Sequence, residues 1–321
     1  MSTIHVLYEN ESWLPPLREA LAARGLTVQE HFTAGGVLNL AQELPEGVYV
    51  NRMSPSSHTR GHQAGVTYTR ELLGLLEAAG RRVINGTRAF TLELSKLQQD
   101  AALRAAGILT PHTIGVVAAD AKEAARQLVP PFITKHNQGG KGLGVQLFRS
   151  HEAFDAFVDA GGLTDGQDGE ALPQSPDGIV ILQQYIEPAE PFITRVEIVD
   201  GQFLYAIRSS TEQGFELCPA DACEAGDAFC PVGDAGRFSL AEDITADDPL
   251  VQQYIAFLAA NQLDLAGIEF VTDKEGRRWT YDVNGTTNYN GSVEEAHGFH
   301  GMGALAALVE RELGRADLAA K

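Results

Sequence analysis

Apolar and polar positions alternate in two rhythms along the first hundred residues. Short apolar runs at 4–8, 28–32, 48–53 and 82–85 have the length and composition of buried strands. Between them lie helical stripes. Ser12 is placed to cap a helix over 13–23, with prolines in its first turn and Gly25 past its end; a second helix over 66–79 closes at Gly80. Strands and helices in this order predict a parallel sheet covered by helices. A helix over 91–106 follows, stopped by Gly107, and then strands at 113–117, 132–135 and 145–149 with helices at 121–128 and 152–159. The stretch 161–178 carries Gly, Asp, Pro and Gln without apolar periodicity and reads as a surface loop.

The last part is strand-rich. A buried-type strand spans 179–186; strands at 193–199 and 203–208 flank the turn pair Asp200-Gly201; strands at 268–272 and 278–283 flank 273–276. Helices are predicted at 249–261 and 303–313, and 218–234 shows no periodicity. The whole is an α/β chain, divided as 1–90, 91–182 and 183–321.

Charge narrows the partners. A net charge of −19 disfavours nucleic acid and anionic membrane surfaces, and no apolar run approaches the length of a membrane span. The N-terminus lacks the basic and apolar regions of a signal peptide, and three cysteines make no closed disulfide set, so a cytoplasmic location is expected. Cys218, Cys223 and Cys230 lack metal-site spacing and read as free or packed thiols.

Two clusters carry chemistry. Lys135 ends a strand and is followed by Gly139, Gly140, Lys141, Gly142 and Gly144 before the next strand begins. Glycines let backbone N–H groups turn toward an anion, and the lysine adds charge, which suits ATP phosphates. The strand–loop–strand setting excludes a Walker loop, which opens a helix, and a dinucleotide fingerprint, which needs a βαβ unit. The second cluster is Glu269 with Asp282 and Asn284. Asp282 and Asn284 share one strand face, and a hairpin brings Glu269 beside them. Such hard oxygen donors suit Mg²⁺ bound together with nucleotide phosphates.

The order of these elements resembles the ATP-grasp superfamily, and more narrowly the RimK-type (α-L-glutamate ligase-like) carboxylate–amine ligases. The resemblance covers residues 83–295 best. It implies a pre-ATP-grasp parallel α/β domain followed by a two-lobed α+β ATP-grasp module, with ATP between the lobes. It implies that Lys96 and Lys135 reach the phosphates, that residues 139–144 cover them as a lid, and that Gln183, Gln184, Tyr185 and Ile186 form the adenine-binding hinge. Glu187 or Glu190 would meet the ribose, and Glu269, Asp282 and Asn284 would hold Mg²⁺, with Mn²⁺ admitted by the same donors. Arg195 and Arg208 would stabilise the acyl phosphate and the oxyanion that follows.

Substrate carboxylate is expected on Arg52, in a loop leaving a strand of the first domain, with Asn288 in the same pocket. His58 and His62 in that loop carry no assigned role. The segment 215–223 departs from the glutamate ligases, which puts glutamate as substrate in doubt. The expected partners are a small-molecule or peptide carboxylate and an amine, with room for a homo-oligomer. The activity implied is amide formation through an acyl phosphate. A phosphotransferase that stops at a phosphorylated product, or a non-catalytic ATP-binding protein, are the alternatives.

Overall fold

The computed structural model describes residues 3–140, 144–163, 175–211 and 237–319. Lys141, Gly142, the three cysteines, the segment 215–223 and most of the loop predicted at 161–178 lie outside the described residues.

Strands β1 (Thr3–Tyr8), β2 (Val28–Phe32), β3 (Gly47–Arg52) and β4 (Arg82–Ile84) form a parallel sheet in the order β2-β1-β3-β4. Helices α1 (Pro15–Ala22) and α2 (Gln63–Ala78) connect them. Ile4, Val6, Val48 and Val50 face α1, while Leu7 and Tyr49 face α2, so both sides of the sheet are apolar and buried. The predicted cap at Ser12 shifts: Asn10 caps a 3-10 turn over Glu11–Trp13, and α1 starts after it.

The single helix expected over 91–106 is two helices, α3 (Thr87–Leu94) and α4 (Lys96–Ala105). Ser95 adopts an extended conformation between them and its hydroxyl accepts the N–H of Gln98. Asn137 completes the break, its carbonyl taking the N–H of Lys96 and its side-chain oxygen that of Leu97. Lys96 therefore opens a helix.

Strands β5 (Thr113–Val117), β6 (Phe132–His136), β7 (Gln146–Phe148) and β8 (Ile179–Gln184), with helices α5 (Ala121–Ala125) and α6 (His151–Asp159), make an antiparallel lobe in the order β5-β8-β6-β7. Its core, around Phe132, Phe148 and Phe154, draws on its own residues only.

The last sheet is antiparallel, ordered β11-β10-β9-β12-β13. Its members are β9 (Phe192–Val199), β10 (Gln202–Ser210), β11 (Phe238–Leu240), β12 (Leu265–Thr272) and β13 (Arg278–Asn284), with α7 (Pro249–Ala260) on one face. Asp200 and Gly201 both take positive φ (57° and 69°), as a two-residue hairpin turn requires. Helix α8 (Gly291–His297), unmarked by the sequence pattern, and α9 (Gly301–Ala319) close the chain. Leu305 and Val309 of α9 share one core with Ile4 of the first sheet, Leu21 of α1, and Tyr205 and Ile207 of the last sheet. No helix among the described residues is long and apolar enough to cross a membrane.

Candidate active site

Two rows of the last sheet build the site. Arg195, Glu269 and Asp282 stand side by side on β9, β12 and β13, and Glu197, Gly267 and Asn284 form the next row on the same face. The register slips between Glu269 and Phe270, leaving Tyr281 as an extra residue on β13. This bulge lets Tyr281 line the cleft beside Asp282, where strict alternation would turn it away.

A cleft of about 250 Å³ lies above these rows. Lys135, Gly139 and Gly140 enter from the middle lobe, and Lys96 from the start of α4. Gln183 and Gln184 at the end of β8, with Tyr185 and Ile186 just after it, line the cleft, as do Trp13, Ser54, Pro55 and Ser56 of the first domain. Asn284, Thr286 and Asn288 complete the wall.

The charges are arranged in opposition. Lys96 forms an ion pair with Asp282. The Lys135 ammonium donates to the Tyr281 carbonyl at 3.3 Å and lies 5.7 Å from that ring's centre. Burial, aided by the neighbouring Lys96, pushes the Lys135 ammonium down to about 7. Arg195 is fully engaged: it donates to Glu197 at 2.6 Å, to Glu269 at 2.9 Å and to the Thr287 hydroxyl at 2.6 Å. It lies over Gly267, where a Cβ would come within 2.3 Å of the guanidinium. Arg195 therefore fixes the Glu269 carboxylate.

Burial and the adjacent Asp282 raise the Glu269 carboxyl above its ordinary range, against the pull of Arg195. Burial acts on Asp282 in the same sense, but Lys96 and Lys135 outweigh it and hold that carboxyl low. Two crowded carboxylates beside an amide oxygen fit a divalent cation, which would relieve their mutual repulsion. Among the described residues no group of three His, Cys, Asp or Glu side chains forms a cluster that could hold a metal; the third side chain beside these two carboxylates is the Asn284 amide.

Lys96, Lys135, Gly139, Gly140, the four hinge residues, Arg195, Glu269, Asp282, Asn284 and Asn288 all line one cleft. Gly144 stays behind it, at positive φ (74°) against the His136 ring, with its carbonyl accepting from Thr134.

Three expectations need correction. Arg208 does not join Arg195. A bulge on β10 between Phe203 and Tyr205 adds one residue, so Arg208 pairs with Thr194 on the opposite face, bonded to Asp243 at 2.6 Å and stacked over Phe192. Arg52 is buried behind the wall, donating to the Thr287 carbonyl at 2.8 Å and the Asn288 side chain at 2.6 Å; it holds the wall in place. Glu187 turns outward to Lys274 and Glu190 is exposed, so neither lines the cleft. His62, with Arg60, is instead bonded to the buried Glu9. Glu93 and Thr286, unmarked in the sequence, are part of the wall because the break at Ser95 ends α3 there.

A parallel α/β domain followed by two antiparallel lobes around one charged cleft is the ATP-grasp fold. The chain is similar over nearly its full length to solved ATP-grasp structures. PsnB, an ATP-grasp ligase solved with a minimal precursor, aligns with a TM-score of 0.64 at 16% identity, over 97% of this chain and 99% of its own. A RimK-domain ATP-grasp protein from Sphaerobacter thermophilus aligns at 0.64 and 17%, over 95% and 98%; the D-cycloserine synthetase DcsG aligns at 0.63 and 20%, over 95% and 99%. At these identities the likeness is one of fold. No protein-family model and no curated protein sequence matches the chain.

Proposed function

We propose that the chain is an ATP-dependent carboxylate–amine ligase of the RimK-like kind, forming an amide through an acyl phosphate with release of ADP and phosphate. The observation that carries this reading is the convergence of Lys96, Lys135, Glu269, Asp282 and Asn284 on one cleft from three separate parts of the chain. The fold neighbours add support: PsnB has been solved with precursor, Mg and ADP, and others of the fold are D-alanine–D-alanine ligases.

In this reading adenine packs against Tyr185 and Ile186, and the phosphates run toward Lys135 and Lys96. Glu269, Asp282 and Asn284 would hold Mg²⁺, which would supply positive charge against that of the phosphates. Lys96 leaves Asp282 for the phosphates when nucleotide arrives. Arg195 keeps the Glu269 carboxylate in one orientation throughout. The substrate carboxylate attacks the γ-phosphate from the side of Ser54, Ser56 and Asn288; the amine then displaces phosphate from the acyl carbon. Most of the acceleration comes from positioning and fixed charge.

The test is ADP release with panels of carboxylates and amines, with products read by mass spectrometry. An amide supports the ligase. Phosphate retained on the product makes the chain a phosphotransferase, and ATP turnover independent of both partners ends the proposal. Asp282→Asn should lower product formation by about 10²-fold or more; wild-type rates in that variant would refute the metal assignment.

A further inference from the structure

The cleft holds one carboxylate that the phosphate chemistry does not use. Glu93, in the last turn of α3, is 6% exposed and lines the wall. No ion pair forms to it among the described residues. Its two oxygens face Thr286, one accepting the backbone N–H at 2.7 Å and the other the hydroxyl at 2.9 Å. A buried carboxylate that makes no ion pair, with Arg52 near it but bonded elsewhere, is costly unless a ligand supplies the charge.

We infer that Glu93 receives the ammonium of the amine substrate and takes its proton, so that a free amine attacks the acyl phosphate. This rests on the ligase reading and names one of its substrates as a primary amine arriving in its cationic form. The wall is built to accept that proton. The Thr286 hydroxyl lies 2.9 Å from Glu93 and 3.0 Å from the Met53 carbonyl. With Glu93 ionised, the hydroxyl donates to the carboxylate. With Glu93 protonated, the acid donates to the hydroxyl, which turns to Met53. Both states are hydrogen-bonded without any atom moving far.

The charges that face Glu93 are Arg52 on β3 and Asp282 on β13, of opposite sign. Burial dominates over both and over the Thr286 bonds, raising the Glu93 carboxyl to about 7, where a general base works best near neutrality. The step balances. One proton passes from R–NH₃⁺ to the carboxylate; nitrogen bonds to the acyl carbon as the carbon–oxygen bond to phosphate breaks. Phosphate leaves with that electron pair and the second N–H proton.

Glu93→Gln separates this role from a structural one. The amide oxygen can accept the Thr286 N–H, and its NH₂ can donate to the Thr286 hydroxyl, which then donates to Met53; the wall stays pinned. Supply Mg-ATP and a panel of carboxylates, with either hydroxylamine, which is neutral at pH 7, or a panel of amino acids as acceptor. The variant should lose amino-acid coupling by about 10²- to 10⁴-fold, while hydroxamate formation falls far less. Its residual coupling should keep rising with pH where the wild-type rate levels off. Equal loss with both acceptors, or equal retention, overturns the role of Glu93 while leaving the ligase standing. Wild-type protein that makes no hydroxamate from any carboxylate overturns the ligase, and Glu93 falls with it.

Discussion

Lys135 illustrates what the proposed phosphate site would cost a protein that must fold without phosphate. The residue is 6% exposed, and its ammonium donates to a carbonyl. In the unfolded chain it titrates near 10.5, in the folded one near 7. Between those values the unfolded chain holds a proton that the folded chain has released, so stability rises as pH climbs from about 7 toward 10.5. Lys135→Met should therefore raise the melting temperature most near pH 7 and least near pH 10, while weakening binding of a non-hydrolysable ATP analogue by about 10- to 100-fold. Calorimetry across pH and analogue titration check both; a variant that is destabilised at pH 7 would refute the account. Gly267 is the second test at this scale. A methyl there meets a guanidinium held on three sides, so Gly267→Ala should displace Arg195 and misplace Glu269, lowering turnover by about 10²-fold. The cleft residues best read from sequence, Lys96, Lys135, Glu269, Asp282 and Asn284, are charged or amide side chains in short ordered motifs. Arg208 and Tyr281 were illegible for one shared reason, a bulge: Arg208 follows one and Tyr281 is the inserted residue of another, and one inserted residue exchanges the faces of a strand. From the Asp200-Gly201 turn alone, an unbroken register would have set Arg208 opposite Ile193, on the face of Arg195.

Between elements, small polar residues do what no apolar pattern records. Ser95 and Asn137 divide one helical stripe into two helices and aim Lys96 at the cleft, although the stripe itself continues across the break. Asn85 does the same for the end of β4. It sits at φ 49°, its amide donates to the carbonyls of Leu265 and Gly285, and its oxygen accepts the N–H of Asp264 at 2.8 Å. One side chain thus fastens the first sheet to the start of β12 and to the loop that follows the proposed metal ligands. Asn85→Ala removes these bonds inside a buried junction and places a Cβ-bearing, non-Asn residue at positive φ. The expected loss is about 2–4 kcal/mol in chemical denaturation. Asn85→Gly restores the backbone freedom alone and should recover only a fraction of that loss. Full recovery would mean that backbone strain, and not the bonds, holds the junction. The hairpins and the parallel sheet were legible because turn chemistry and buried-strand runs are local; α8 was not, since its seven residues carry too short a stripe.

At the scale of the molecule the four apolar cores among the described residues divide the chain differently from the linear order of its motifs. Helix α9, last in sequence, packs with the first sheet, and Ala89, Leu92 and Leu103 of α3 and α4 are buried against the last sheet. These parts share cores, so the first domain and the last sheet form one body. The middle lobe shares no core with either, and its own has Phe154 edge-on to Phe132 and Phe148 at 5.3 and 4.9 Å between ring centres. The cleft lies between that lobe and the larger body, and Lys135 and Gly139 reach it only from the lobe. Phe154→Ala removes a fully buried ring at a cost of about 3–5 kcal/mol. Because the lobe's core is separate, that loss should fall on the lobe alone. Hydrogen exchange in the variant should quicken across β5, β6, β7, β8 and α6 while β1, β3, β9 and β12 keep wild-type protection. Nucleotide affinity should fall in the same variant, since Lys135 and Gly139 of the proposed phosphate site are then carried on an unfolded lobe for part of the time. Quickened exchange spread evenly over both bodies would show instead that the molecule unfolds as one unit, and that the cleft lies within a single cooperative structure.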